Sequence, residues 1–474
     1  CIVERGVCVC VCVCVMDEVV AAVRAMRGSS AEQLQELLQY LESRAVVVQR
    51  AVDEIGRVLQ DLRPKHHAAA CAFLLAEKAR AKLGDDLFFE QVQELIHEGT
   101  KLQLSVAAAQ VCQCLRFYAE SLMERGQSGA GIALLQKAIP LVQSQKGQLT
   151  PIHVDLLLLC NSSKSFREAL AVAKTPLLVY ESTMGLTSAD VLRYHVYAAH
   201  AFAACKKMDK ALRCLEVVLQ HPANVVSIIA LDAFKRHILI SLIHRGEAKT
   251  KSILTSTTDH LVQEYSRLAN SYMNLATCVK NFDVTGVDHI LEQSRKEFEE
   301  DNNLGLVKQA KASMVKHRIL KLTQTYLTLP LEDLAKLANL EGGPQEAERA
   351  LLGMIERKEI DATISQRNGM VTFGQQQQQS PSTVGSPSGG GVAKMLALEK
   401  RLAESQSCLQ HIRVATKNFE ARSREEREKN EKEQRRGIGI GSASMMELDP
   451  RYAMGGSSGA RSGRVRTFNA GSRF

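Results

Sequence analysis

The chain has 474 residues, 60 Lys+Arg against 52 Asp+Glu, 13 Cys and no Trp. That length allows two or three domains and a sizeable core, and a composition poor in aromatics suits stacked helices. From Gln375 onward 17 Lys+Arg face 10 Asp+Glu, so the body before it is close to neutral and lacks the net charge of a nucleic-acid-binding domain.

Residues 1–15, CIVERGVCVCVCVCV, alternate Cys and Val ahead of the first Met, Met16. They read as upstream sequence translated by a gene model, with a metal-binding Cys tract as the rival reading. The other cysteines are scattered and no CxxC pair occurs, which points to a reduced intracellular compartment, with cytoplasm and nucleus as the expected locations. No run approaches the roughly 20 apolar residues of a membrane span, so no membrane partner is expected.

Residues 16–222 read as helical repeats. Leu34, Leu37, Leu38 and Leu41 share a helix face. From about residue 105 an apolar helix ends in a polar turn, and the next opens with a small residue followed by an aliphatic one. The pairs are Gly131-Ile132, Ala169-Leu170 and Ala211-Leu212, with steps of 38 and 42 residues. That is the period of a tetratricopeptide-like solenoid. In the third copy Ala199, Phe202, Ala211, Leu215, Val218 and Pro222 approximate the tetratricopeptide spacing.

Residues 223–325 continue as helices. VSIIALDAFKRHILISLI is one, with Gly246 as its C-cap, and Asp301-Asn302-Asn303 is the turn and N-cap region of another pair. Residues 326–374 change character. Leu327-Thr328-Leu329 is extended, and Pro330 sits near the start of the next helix, where its missing N–H does no harm. LEDLAKLANL predicts a three-turn helix with Leu331, Leu334 and Ala338 on one face, ended by Gly342-Gly343. Pro344 opens a second helix with an apolar face of Ala347, Leu351, Met354 and Ile355. A hairpin follows: Ile360, Ala362 and Ile364 alternate, Asn368-Gly369 supplies the positive-φ turn, and Met370, Val371 and Phe373 return. Helix, helix and two-stranded wing is the order of a winged helix.

Residues 375–391 are a Gln/Ser/Gly-rich linker. Over 392–436, Met395, Leu398, Leu402, Leu409, Ile412 and Phe419 hold a/d positions of one heptad frame, which calls for a helical partner. Residues 437–474 are Gly/Ser/Arg-rich and read as disordered.

No catalytic constellation emerges. His-x-His, HExxH, Gly-Lys-Ser/Thr, GxSxG and GxGxxG are absent, and no metal or cofactor site is expected. His153 and Cys160 lie seven apart in an apolar helix, where core packing is favoured over a nucleophile–base pair. His195 and His200 read as packing or surface residues. The second helix of the winged unit, Gln345 to Ile360, carries four Glu against two Arg and one Lys, poorly suited to phosphate contacts. An edge strand that pairs with another protein is the better use of the hairpin, with Ile360, Ala362, Ile364, Met370, Val371 and Phe373 as its interface and the heptad residues as a second one.

A helical solenoid running into a winged helix resembles the PCI module of the proteasome lid, the signalosome and an initiation-factor complex. More narrowly, EFEEDNNLGLVKQA, LTQTYLTLPLEDLA, GPQEAERALLGMIERKEIDATI and NGMVTF are similar to the subunit-three family of the constitutive-photomorphogenesis (COP) signalosome, as are KRHILISLIHRG and PIHVDLLLLC. The likeness covers roughly residues 30–374. It implies a non-catalytic scaffold in a complex that removes the ubiquitin-like protein Nedd-eight from cullin-RING ligases. Winged helices would join edge to edge, C-terminal helices would gather in a bundle, and the isopeptidase would be a different subunit with a zinc-binding His-x-His motif. Pro330, the Cys-Val leader and the C-terminal tail depart from the family pattern. A subunit of another PCI complex, the proteasome lid or the initiation factor, is the alternative within this class. A nucleic-acid-binding winged helix assisted by the Arg/Gly tail is the alternative outside it.

Overall fold

The computed structural model describes residues 9–374 apart from 26–29, 146, 176, 178, 181–183, 224, 251–253, 255–258, 341 and 366, with side chains from Met16 on, Asp53, Tyr180 and Asp259 excepted. The backbone enters as α1 (Val9–Ala25), on which Met16, Val19 and Val23 are buried at helical spacing. Then α2 (Ala31–Ser43) starts at Ser30, whose hydroxyl accepts from the Gln33 N–H, and buries the four expected leucines. Two short helices, α3 (Ala45–Arg50) and α4 (Val52–Asp61), lead to α5 (Pro64–Arg80). In α5 every residue from Ala68 to Ala79 is buried. Its alanines let neighbours close on all sides, which a one-sided apolar stripe would not permit.

From α5 the chain builds helix pairs. They are α5 with α6 (Asp86–Glu98); α7 (Lys101–Val106) and α8 (Ala108–Glu124) with α9 (Ile132–Val142); α10 (Pro151–Ser162) with α11 (Phe166–Lys174); α12 (Ser188–Ala204) with α13 (Met208–Leu219); α14 (Ile228–Arg245) with α15 (Asp259–Leu268); α16 (Asn270–Lys280) with α17 (Val284–Gln293); and α18 (Arg295–Glu300) with α19 (Leu304–Thr325). The first helix of each pair stops at a left-handed residue: Lys82, Gly126, Lys164, Lys206, Gly246, Phe282 and Asn302, with φ between 55° and 75°. At all but Gly246 the next N–H donates back to the carbonyl five residues before it, as from Gln127 to Leu122, Ser165 to Cys160 and Lys207 to Phe202. This closes the helix with the same C-terminal motif each time. The steps from Gly126 to Lys164 to Lys206 are 38 and 42 residues, the period read from the small-aliphatic pairs. The small residue has a packing reason: a Cβ on Gly131 would lie 2.6 Å from Leu122 Cδ1 and 2.9 Å from Leu159 Cδ1. Ala169 and Ala211 occupy the corresponding buried sites. A parallel bridge of two residues a side, β1 (Gln148–Leu149) with β2 (Val179–Tyr180), was not signalled by the sequence.

The Asp301–Asn303 turn is where expected and Asn303 holds the N-cap position of α19, but its side chain makes no capping bond there. Its amide donates to the Tyr272 hydroxyl (3.2 Å) and its carbonyl oxygen accepts from Arg236 Nε (3.3 Å). Asp301 accepts from Lys235 Nζ (2.6 Å) and from Tyr272 (2.7 Å). This polar cluster ties α14, α16 and α19 together. A second one ties α8, α10 and α12, where Arg116 meets Asp190 (2.9 Å) and Asp155 (3.6 Å).

The winged helix closes the described chain with β3 (Thr328–Pro330), α20 (Leu331–Leu337), α21 (Gly343–Glu356), β4 (Ala362–Ser365) and β5 (Met370–Phe373). The sheet order is β3-β5-β4, all antiparallel. Two expectations need correction. The helix opening at Leu331 makes two turns, not three, because Asn339 takes φ 53° and the Leu340 N–H closes onto the Ala335 carbonyl before Gly342 is reached. Among the described residues of the hairpin only Gly369 has positive φ, and the Ser365–Met370 register leaves four loop residues, so Asn368-Gly369 is not a two-residue turn. One apolar core runs without interruption from Met16 to Met314, across residues 222 and 260; a second runs from Ile319 to Phe373. The helix α19 belongs to both. Among the described residues no helix is long and apolar enough to cross a membrane.

Candidate assembly interface

The hairpin offers its backbone. In β5, the Phe373 N–H donates to the Leu327 carbonyl and the Gly369 carbonyl accepts from Leu331, so odd-numbered residues face β3. The Gly374 N–H donates to the Asp361 carbonyl, so even-numbered ones face β4. By the alternation of an antiparallel ladder, Thr363 and Ser365 then face β5, while the N–H and C=O of Ala362 and Ile364 point outward. Among the described residues nothing pairs with them. The opposite edge is blunter: on β3 the outward positions are Thr328 and Pro330, and Pro330 has no N–H to give. The open margin of this sheet is therefore β4.

The side chains of the hairpin are differently disposed from the expectation. Ile360, Ala362, Val371 and Phe373 are buried in the second core against α20 and α21, and Ile364 and Met370 are half-buried. A three-stranded sheet lying on two helices uses its apolar face internally, so these residues hold the wing in place. The large apolar side chains exposed on this unit are Tyr326 (39%), Leu327 (63%) and Leu352 (46%), none singled out from the sequence. Leu352 carried a signal, since it lies about 100° around α21 from the buried Leu351. Lys316 Nζ donates to Glu359 Oε1 (2.7 Å) and Arg318 Nε to the Leu337 carbonyl (2.7 Å), which fasten the wing to α19. Met395, Leu398, Leu402, Leu409, Ile412 and Phe419 lie outside the described residues.

The rejected catalytic candidates sit in the solenoid core. Burial pushes the His153 imidazole down to about 4, and its Nδ1 accepts from the Thr150 N–H at the start of α10 (3.2 Å). The Cys160 thiol is pushed up to about 11 by burial and by Glu168, which leaves no thiolate at neutral pH. Burial likewise holds His195 at about 4 and His200 at about 3. Among the described residues no group of three His, Cys, Asp or Glu could hold a metal ion.

A helical solenoid that ends in a winged helix with one open sheet edge defines the PCI class of assembly subunits. Residues 260–375 match the PCI domain family, and residues 31–259 match the family described as COP9 signalosome complex subunit 3, N-terminal helical repeats. The COP9 signalosome complex subunit 3 of Dictyostelium discoideum is 29% identical over 349 residues, covering 72% of this chain and 80% of that protein. That of Arabidopsis thaliana is 32% identical over 271 residues, covering 57% of this chain and 62% of that protein, less than two thirds of its length. The chain belongs to the COP9 signalosome subunit 3 family.

Proposed function

We propose that the chain is a non-catalytic scaffold subunit of a COP9 signalosome, the assembly that deneddylates cullin-RING ubiquitin ligases, and that it works in cytoplasm and nucleus. The observation that carries this reading is the open β4 edge on a PCI winged helix, where Ala362 and Ile364 present N–H and C=O groups that have no partner among the described residues. A neighbouring subunit's strand would extend the sheet there, with backbone hydrogen bonds for affinity and apolar side chains for specificity. The heptad residues from Met395 to Phe419 would supply the second contact, in a bundle with helices of other subunits. Cullin-RING ligases would be met only through the assembled complex, and catalysis would reside in another subunit.

The test is affinity capture of the tagged chain with mass spectrometry, alongside Ile364→Pro. Proline at 364 removes an outward N–H and no ladder bond, so the free chain should keep its helicity, with only the modest loss of melting temperature that comes from the half-buried Ile364 side chain leaving the second core. Wild type should recover the other signalosome subunits, and the variant about tenfold less of them, as the loss of an edge-strand bond at an interface implies. Recovery of proteasome-lid or initiation-factor subunits, or undiminished recovery with the variant, would defeat the reading.

A further inference from the structure

The two apolar cores do not close completely on each other. Between the start of α17, the middle of α19 and the connection from α20 to α21 lies a cleft of about 410 Å³, within the range of ligand-sized pockets. Its floor is aliphatic: Met314 from the first core, Ala338 from the second, with Val315 and Leu340 between. One wall is Phe282, the left-handed residue of the α16–α17 turn. Its ring has the Arg318 guanidinium 4.9 Å and the Lys321 ammonium 5.5 Å from its centroid.

The charges around this floor are not balanced. Lys311 is paired with Asp288, and Glu346 is occupied by the Gly342 N–H (2.8 Å). Lys308, Arg318 and Lys321 have no carboxylate within ion-pair distance among the described residues, and the Nε of Arg318 is already given to Leu337. Three cations without an ion-pair partner among the described residues, against the one carboxylate of Glu346, give the apolar hollow a net positive rim, a complementary mould for an apolar side chain flanked by carboxylates.

We infer that this cleft receives an acidic, apolar segment of a partner polypeptide, held against α19 where the solenoid meets the winged helix. The inference rests on the assembly role proposed above. The chain's own residues 392–436 carry 12 Lys+Arg against 8 Asp+Glu, the wrong sign for this site. Nucleic acid is disfavoured as well, because single strands need aromatic platforms for their bases, and the cleft's lone ring is already covered by Arg318 and Lys321.

The test places a benzophenone amino acid at Ala312, an exposed residue of the cleft wall, in the affinity-purified complex, and sequences the photo-adducts. The expected adduct is a peptide of another subunit with Asp or Glu on both sides of an apolar residue. Lys308→Glu with Lys321→Glu should lower its yield about tenfold, the worth of one or two charge contacts, and Lys308→Arg with Lys321→Arg should preserve it. Adducts with residues 375–474 of the same chain, with RNA or with a neutral or basic segment would overturn the inference. So would no adduct in an intact complex, or a yield indifferent to charge reversal. If the unlabelled wild-type chain recovers no other subunit, it is the assembly role that fails.

Discussion

The solenoid and the winged helix bury apolar surface on different scales. In the solenoid each helix pair finds its partner in the next, and the core extends unbroken through some 300 residues, from Met16 to Met314. In the winged helix two short helices cover one face of a three-stranded sheet, and the core is a small set of side chains between Ile319 and Phe373. A long core sums many neighbour contacts and tolerates a local loss; a small one has little to spare. The difference also separates stability from association. The solenoid pairs its backbone within its own helices, while the wing leaves the outward N–H and C=O groups of β4 without a partner among the described residues.

The strongest way to break this contrast is to charge the smaller core. Val371 lies fully buried at the centre of β5, and Val371→Asp would leave a carboxylate without a partner there. The expected cost is several kcal/mol, at the severe end for single substitutions. Amides of 328–373 should lose hydrogen-exchange protection while α8 and α10 keep theirs. If the solenoid amides are lost with them, the two cores are one cooperative unit and the contrast fails.

A smaller effect, confined to the solenoid, concerns its buried charges. Burial pushes the Asp155 carboxyl up to about 7 even though Arg116 opposes this, and Oδ2 of Asp155 has no partner among the described residues. A carboxyl whose folded pKa is raised holds more protons folded than unfolded between about 4 and 7. Its contribution is therefore full at low pH and is lost as pH rises through that window. The buried His153 and the half-buried His195 have the opposite sign: they are held neutral, so the unfolded chain binds more protons between about 4 and 6.5 and stability rises with pH there. Asp155→Asn removes only the first effect. Thermal melts should show the variant more stable than wild type at pH 8, by a few kcal/mol at most, and less different at pH 5. Equal melting at pH 8 would mean that Arg116 fully compensates the charge.

Legibility followed periodicity. The repeats were readable because a small residue must recur where paired helices touch, as at Gly131, Ala169 and Ala211. Gly246 as the cap of α14 and the helix–helix–hairpin order of the wing were legible for the same local reasons. Contacts between distant segments were not. Arg116, Asp155 and Asp190 come from three different pairs, and nothing in their own neighbourhoods marks them as a cluster. The wing shows the same limit from another side. Alternation shows that Ala362 and Ile364 share a face, but not that α20 and α21 occupy that face.

The smallest expected effect tests whether solenoid and wing share one turn. Lys164, Lys206 and Gly126 end solenoid helices in the left-handed region, and Lys358 ends α21 there with φ 57° and the same closing bond, from the Glu359 N–H to the Met354 carbonyl. A side chain in that region costs about 1–2 kcal/mol. Glycine removes the strain but returns roughly 0.4–1 kcal/mol to the unfolded chain as entropy. Lys206→Gly and Lys358→Gly should therefore each stabilise by about 1 kcal/mol or less. Gly126→Lys should cost a similar amount, because a Cβ there meets no atom within 4 Å and the penalty is purely that of the backbone. The three changes can be compared in urea, with local exchange resolving the wing from the solenoid. Equal and opposite values at Lys206 and Gly126 would establish one turn geometry along the repeats. A gain at Lys206 without one at Lys358 would place the extra constraint in the wing, where Arg357 and Lys316 both draw on the adjacent Glu359.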